Sequence, residues 1–286
     1  MYYILVSQMI KVKGLSINCL NGVNLELGGI SCILGNWGKD KESLISAILG
    51  KEKYQGKVEF YVKGVLIDNK EALMLTRVIP QYMEKPNVKA SSFLYPFTKV
   101  FGGKVKEIMQ VLDIEDKYLS EMGDYELFKV YSAPLFMGDV KFILLANLLN
   151  SVEEQAKARI LKDLIKISKM KNSDLILLID SAEYVNVCES LYVIYGGRIL
   201  EEGKEFLHPY SMALLNSRIK MGNKHEKIDV MEIGQPTSEG CPFHEFCNEM
   251  KLRKYLWIKC RLEMPDMMNI GEEKVACWLF REEFRQ

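Results

Sequence analysis

Four cysteines fall within the last 46 residues of this 286-residue chain, at Cys241, Cys247, Cys260 and Cys277, spaced C-x5-C-x12-C-x16-C. Three others, Cys19, Cys32 and Cys188, stand singly in apolar stretches. Thiols crowded in this way, in a chain whose start shows no secretory pattern, point to metal ligation rather than a disulfide framework. A structural zinc site usually draws two ligands from a tight cysteine knuckle with two to four intervening residues, and none is present. Four thiolates reached through wide loops suit an iron–sulfur cluster at least as well, because a cluster is larger than one ion. On spacing alone a cluster, a zinc ion and four reduced structural cysteines all stay open.

A second candidate lies near the other end. Gly28 to Leu34 reads as a buried strand, Gly35 to Asp40 as a loop, and Lys41 to Leu49 as a helix with Leu44, Ile45, Ile48 and Leu49 on one face. A strand, a glycine loop and a helix opening with lysine form the setting of a phosphate-binding loop. Its pattern, G-x-x-x-x-G-K-[ST], asks for glycine at position 40 and a hydroxyl at 42. The chain has Asp40 and Glu42, with Ser43 one residue late; Lys41 keeps its register. Asp40 puts a carboxylate where backbone amides should meet phosphate. Two unit charges about 4 Å apart repel by roughly 1 kcal/mol in water and about 4 kcal/mol at an effective dielectric near 20.

The elements that must position these groups alternate between strand and helix. Tyr2 to Val12 and Leu15 to Leu27 give β-type runs, Lys57 to Val62 alternates as a strand, and Leu73 to Ile79 reads as another, stopped by Pro80. Short helices are expected at Val105 to Leu112 and Glu115 to Leu119. A long helix is expected from Glu153 to Met170, between apolar strands at Lys141 to Ala146 and Asp174 to Ile179. Gly196-Gly197 reads as a two-residue hairpin turn. Buried strands alternating with helices imply an α/β fold with a parallel sheet covered on both faces. Residues 219–237, charged and then Gly- and Pro-containing, read as a linker, giving domains at 1–218 and 238–286.

Composition excludes several classes. Lysine plus arginine equals aspartate plus glutamate at 38 each, so no basic field calls for nucleic acid. No apolar run approaches the length of a membrane span. The start lacks the features of a secretory signal, so a cytosolic chain is expected.

Several segments, in order, resemble the ATP-binding-cassette ATPases. Val78-Ile79-Pro80-Gln81 resembles the strand and glutamine of the Q-loop, Phe142 to Asn147 the Walker B strand, and Leu175 to Asp180 the strand before the switch histidine. Val193 to Gly203 is similar to the family's last hairpin. Two motifs narrow the resemblance to the oligopeptide/dipeptide importer branch. His208-Pro209-Tyr210-Ser211-Met212-Ala213-Leu214-Leu215 resembles H-P-Y-T-x-x-L-L, and Gly240-Cys241-Pro242-Phe243-His244-Glu245-Phe246-Cys247 resembles G-C-x-F-x-x-R-C. Cys260-Arg261 and Val275-Ala276-Cys277 match the third and fourth cysteines.

The resemblance implies a cassette fold with a parallel-sheet core, an antiparallel β edge and a reduced helical subdomain, followed by a small cysteine-rich domain holding a [4Fe–4S] cluster, with zinc as the alternative. Around that cluster Pro242, Phe243, Phe246, Tyr255, Leu256, Trp257 and Ile258 are expected to close the site, and Lys251, Arg253, Lys254, Lys259 and Arg261 to offset its charge.

Against the family's pattern nearly every catalytic position departs. Asn147 stands for the magnesium-linked aspartate, Leu148 for the catalytic glutamate and Ile179 for the switch histidine. A leucine cannot orient or deprotonate the attacking water. The signature loop falls near Glu126 to Tyr131 without its serine or glycines, and Lys11-Val12-Lys13 offers no ring for adenine. Gly35, Gly38, Lys41, Ser43 and Gln81 remain as a vestigial nucleotide site, with ATP and Mg²⁺ bound weakly or not at all. The expectation is a non-catalytic cassette subunit on the cytoplasmic side of the cell membrane, paired with an intact ATPase subunit beneath two permease subunits, and indirectly with an extracellular substrate-binding protein. Phe93-Leu94-Tyr95-Pro96-Phe97 is either subdomain core or a docking surface. The rival readings are an atypical working ATPase using Lys41 and a free-standing iron–sulfur sensor.

Overall fold

The computed structural model describes residues 8–36, 38–147, 149, 151–216 and 234–281. Trp37, Leu148, His225 and most of the expected linker lie outside the described residues. In chain order the strands and helices are β1 (Gln8–Ile17), β2 (Leu20–Leu27), β3 (Ile30–Leu34), α1 (Lys39–Ile48), β4 (Gln55–Val62), β5 (Val65–Ile67), α2 (Asn69–Met74) and β6 (Thr76–Ile79). There follow α3 (Ala90–Phe101), α4 (Val105–Leu112), α5 (Asp124–Ser132), β7 (Phe142–Ala146), α6 (Glu154–Lys171), β8 (Asp174–Ile179), β9 (Ser190–Tyr195), β10 (Arg198–Glu202) and α7 (Pro209–Asn216). The last segment holds α8 (Asn248–Leu252), α9 (Lys254–Leu262), β11 (Met268–Ile270) and β12 (Glu273–Val275). None of the described helices is long and apolar enough to cross a membrane.

The chain folds as two compact units. One is built mainly from Glu59–Leu178. Here β6, β7 and β8 run parallel, with Thr76 opposite Phe142 and Phe142 opposite Asp174. Every residue of β7 and β8 is buried, as a strand covered on both faces requires. Each fully buried leucine or isoleucine there contributes roughly 1.5–3 kcal/mol of burial free energy. An antiparallel pair, β4 with β5, joins Phe60 to Ile67. Helices α3, α4 and α5 share a core around Leu94, Met109, Leu127 and Val130. Arg77 is buried beneath them, donating to the carbonyls of Pro134 and Met137 and lying over the Phe101 ring.

Three local expectations are corrected in this unit. Leu73 and Met74 end a helix rather than begin a strand, because the Asp68 carboxylate caps α2 by accepting the Lys70 and Glu71 N–H groups at 2.8 and 3.0 Å. Glu115 to Tyr118 is not helical. Asp116 instead accepts the Ser91 N–H and hydroxyl at 2.9 and 3.0 Å, serving the start of α3. Phe93 to Phe97 lies within α3: Leu94 is fully buried, Phe93 and Phe97 pack on the helical core, and Tyr95 is exposed. The segment is therefore chiefly core.

The second unit takes Lys11–Glu26, Ser31–Val58 and the chain from Ile179 onward. Within it β3 runs parallel to β9, Cys32 opposite Leu191, and β9 turns back into β10 at Gly196-Gly197 as expected. A disulfide joins Cys32 to Cys188, two of the cysteines that stand singly in the sequence. The β3–β9 pairing explains it, since it brings the segment entering β9, with Cys188 two residues ahead of the strand, beside β3. The hairpin is extended by β12, which pairs antiparallel with β10 (Glu201 opposite Val275), and then by β11. Residues 234–281 therefore belong to the same compact unit as the glycine loop.

Candidate functional site

The glycine loop is closed on itself. Lys41 has none of its surface exposed. Its ammonium donates to the Gly35 carbonyl at 2.5 Å and to the Ile179 carbonyl. Burial drives its pKa from the usual lysine value down to about 7, with Asp180 and Asp40 pulling it upward. Gly35 can only be glycine here, because a Cβ would stand 2.2 Å from the Ile194 carbonyl oxygen. Asp40 is also engaged: its Oδ2 accepts the N–H of Gly197, at the hairpin turn, at 3.0 Å. The Asn36 N–H donates to the Tyr210 hydroxyl at 3.0 Å. Ser43 is buried and its hydroxyl accepts from Asn18 at 3.3 Å, while Glu42 faces outward. Gly38 precedes α1, whose start has no side-chain cap.

In the other unit, Gln81 is half-buried; its amide donates to the Tyr82 hydroxyl at 3.1 Å and its backbone carbonyl accepts from Ser151. Asn147 is buried at φ +52, a left-handed conformation that asparagine tolerates, and its N–H donates to the Leu178 carbonyl at 2.9 Å. Leu148 lies outside the described residues. Glu126 to Tyr131, expected as a signature loop, forms the body of α5; Glu126 reaches back to the Gly123 N–H at 3.1 Å. Leu127 and Val130 are committed to the helical core.

The four C-terminal cysteines converge. Cys241, Cys247, Cys260 and Cys277 line one cavity together with His208, His244, Leu256 and Trp278. All four are buried and none is in a disulfide. Local structure delivers each sulfur. Gly240 sits at φ +62, where a Cβ would meet the Cys260 carbonyl oxygen at 2.3 Å, and this close approach lets the Cys241 N–H donate to that carbonyl at 2.8 Å. Cys247 caps α8, its sulfur accepting the Met250 N–H at 3.4 Å. Cys260 shares the inner face of α9 with Leu256. Cys277 comes two residues after β12, which β10 holds in place. Gly240→Ala should therefore cost about 2 kcal/mol or more and displace Cys241, read as a fall in the urea midpoint together with lost metal content.

The site favours neutral thiols when it is metal-free. Burial pushes the thiols of Cys241 and Cys260 up to about 12, and raises those of Cys247 and Cys277 as well. The sulfurs also repel one another's charge, Cys277 feeling all three others. Backbone N–H groups of Phe243 at Cys241, of Met250 and Glu249 at Cys247 and of Leu279 at Cys277 partly offset this.

The expected cationic surround holds at one residue, Lys251, whose charge favours the Cys247 thiolate, and is corrected for others. Lys259 pairs with Glu263 at 2.9 Å and Arg253 with Glu249 at 3.1 Å, while Arg261 stacks over Trp257. No lysine or arginine lines the cavity. The outer face of α9 carries those charges together with Tyr255, Trp257 and Ile258, which are exposed; Phe243 and Leu256 are the fully buried members of the expected apolar shell.

Two histidines reach the cysteines, and the sequence reading assigns neither of them a task. His244 Nδ1 lies 2.9 Å from the Cys241 carbonyl oxygen. His208 is buried, its pKa pushed down to about 3 by desolvation, and its Nε2 lies 3.8 Å from the Cys241 sulfur. Tyr210, two residues on, is packed between the rings of Tyr195 and Phe243 at 4.4 and 5.4 Å. The signal that could have found these contacts is the H-P-Y run, whose first and third residues face the cysteine site and the glycine loop.

Among the described residues no group of three or more His, Cys, Asp or Glu side chains is arranged to hold a metal ion. The cavity that the four sulfurs share is small, about 10 Å³.

The structure resembles that of cbiO1 from Clostridium perfringens, part of the ABC transporter complex cbiONQ, with a TM-score of 0.58 at 17% identity over 69% of this chain and 88% of that one. The fold is that of an ATP-binding cassette. No family model matches the chain. Among curated proteins, this cassette is 29% identical over 134 residues to the dipeptide transport ATP-binding protein DppD of Haemophilus influenzae, a match spanning 42% of the chain and 38% of that protein. It is 20% identical to the oligopeptide transport ATP-binding protein OppD of the same organism, over 94% of the chain and 93% of that protein.

Proposed function

We propose that the chain is a non-catalytic cassette subunit of an ABC importer of the oligopeptide type, carrying an iron–sulfur cluster on its four C-terminal cysteines. The observation that carries the first half is the closed glycine loop. Lys41, which should meet the β- and γ-phosphates, spends its donors on the Gly35 and Ile179 carbonyls, and Asp40 brings negative charge to the loop while holding Gly197. Asn147 and Ile179 offer neither the carboxylate that holds Mg²⁺ nor the imidazole that faces the γ-phosphate. The similarity to DppD and OppD, whose names specify peptide transport, supports the importer branch.

In this reading the subunit sits on the cytoplasmic face of the membrane. It pairs with an intact ATPase subunit and contacts two permease subunits, and the substrate is a peptide or another oligomer selected elsewhere in the complex. Co-purification with those subunits from gently solubilised membranes is the expected result, and a lone monomer in such extracts contradicts it.

The donor set fits a cluster: four buried, unbridged cysteines on one cavity, with N–H groups aimed at three of them. Cys241, Cys247, Cys260 and Cys277 would hold it. When bound, such a group would supply one-electron redox capacity and a rigid crosslink among the loop, helices and strand end of residues 241–277.

Calorimetric titration tests the nucleotide half. No ATP turnover and a Kd at least about a hundredfold above the micromolar range are expected, with no gain from Mg²⁺. Low-micromolar, Mg²⁺-dependent binding would falsify the reading and favour the atypical ATPase.

A further inference from the structure

His208 lies outside the four-cysteine set and outside the nucleotide-binding positions, yet its ring is fixed more tightly than packing alone requires. The Tyr210 N–H donates to its Nδ1 at 3.0 Å, so that nitrogen is the acceptor and the ring proton resides on Nε2. Nε2 faces the Cys241 sulfur at 3.8 Å, within reach of an N–H···S bond. The backbone is held as firmly. The fully buried carboxylate of Glu201 accepts the N–H of Leu207 at 2.6 Å and that of His208 at 3.0 Å. Pro209 follows with its φ locked, and Phe243 packs edge-on against the imidazole at 6.1 Å.

We propose that His208 is an outer hydrogen-bond donor to the Cys241 ligand, and that it raises the redox potential of the group the four cysteines hold. The proposal rests on the cluster reading above. A donor to a thiolate sulfur withdraws electron density and favours the more negatively charged, reduced state. Cys241 has the imidazole N–H beside one backbone N–H, Cys247 has two backbone N–H groups and Cys277 has one. Histidine serves where a backbone amide would not, because its second nitrogen accepts the Tyr210 N–H in the first turn of α7 while Glu201 holds its backbone.

Two substitutions separate the ring's two nitrogens. His208→Asn keeps an acceptor near Nδ1 for the Tyr210 N–H and lacks the far donor; His208→Gln places an amide N–H near the Nε2 position. The full chain is purified without oxygen, its iron is counted, and its midpoint potential is measured by dye-mediated titration followed by electron paramagnetic resonance. The expected result is equal iron in the three proteins, a lower potential in His208→Asn, and a return toward the wild-type value in His208→Gln. Loss of iron from His208→Asn with retention in His208→Gln also supports the donor. Equal potentials in iron-loaded wild type and His208→Asn overturn this proposal alone, and so does loss of iron from both variants, which would make the ring a packing element. Wild-type protein holding zinc or no metal overturns the cluster reading and this proposal with it.

Discussion

Protein purified without oxygen is expected to carry about four irons per chain and to absorb broadly at the blue edge of the visible, and Cys→Ser at any one of the four ligand positions is expected to lose both. The electrostatics make the effect large. With no metal, burial holds the thiols of Cys241 and Cys260 at pKa values of about 12, so at neutral pH the cavity contains protonated sulfurs. A bound iron–sulfur core replaces those protons and neutralises thiolates that would otherwise repel one another. Its binding free energy then adds to the folding free energy, for structural metals on the order of 10 kcal/mol in apparent terms. The four ligands join four separate elements between residues 241 and 277: a loop after Gly240, the cap of α8, the inner face of α9 and the segment after β12. Removing the metal should lower the denaturation midpoint sharply and expose residues 234–281 to proteolysis first. Stoichiometric zinc in anaerobic preparations would reject the cluster and keep the four ligands.

The second large effect is a pH dependence centred on Lys41. Its pKa in the folded protein is about 7, against 10.5 for an ordinary lysine. The folded value is the lower one, so burying the charged form opposes folding. That penalty is fully present below pH 7 and fades as pH rises toward the unfolded value, because only the unfolded chain must then hold the proton. Between those limits the contribution of Lys41 to stability climbs by about 1.4 kcal/mol per pH unit. Lys41→Met, similar in volume and without charge, removes this slope. Urea unfolding of both proteins from pH 6.5 to 9.5 isolates the lysine, since cysteines and tyrosines titrate alike in the two. The difference between them should move in favour of the wild type by several times the 1.4 kcal/mol unit across that range. A constant difference would show that Lys41 stays charged in the fold. Saturating ATP should leave the profile unchanged; a bound phosphate would hold the charge and flatten it.

The strand scaffold was readable because β7 and β8 are covered on both faces and show as unbroken apolar runs at Phe142 to Ala146 and Asp174 to Ile179. The hairpin was readable because Gly196 and Gly197 both take positive φ, as a tight turn there requires. The helical core was harder. Pro96 lies inside α3 and breaks the helical pattern on paper, while in the fold the chain curls through it around Leu94. Asp116 looked like part of a helix because its bond to Ser91, 25 positions away, leaves no local trace. At the site the cysteine quartet was visible from residue type alone. What surrounds it was not: the disulfide from Cys32 to Cys188 spans 156 positions, and the contact from His208 to Cys241 spans 33. Charge was misread in part for a related reason: the turn of α9 sends Lys259 to Glu263 and Arg261 to Trp257, while Lys251 on α8 does favour the Cys247 thiolate.

The Asp40 carboxylate, bound to the Gly197 N–H at 3.0 Å, has a consequence for the history of such a chain. Restoring glycine at position 40 would return one element of a phosphate cradle and, in the same step, release the hairpin that the carboxylate now holds. The loss would be felt immediately as stability, typically about 1 kcal/mol for such a bond, while the gain would wait on further changes at Glu42, Asn147 and Ile179. Each intermediate on that route is a weaker fold with no new activity to recommend it. If the loop is without nucleotide, as proposed, Asp40 has a mechanical duty that works as a ratchet: drift away from catalysis meets no resistance here, while the road back runs uphill from its first step.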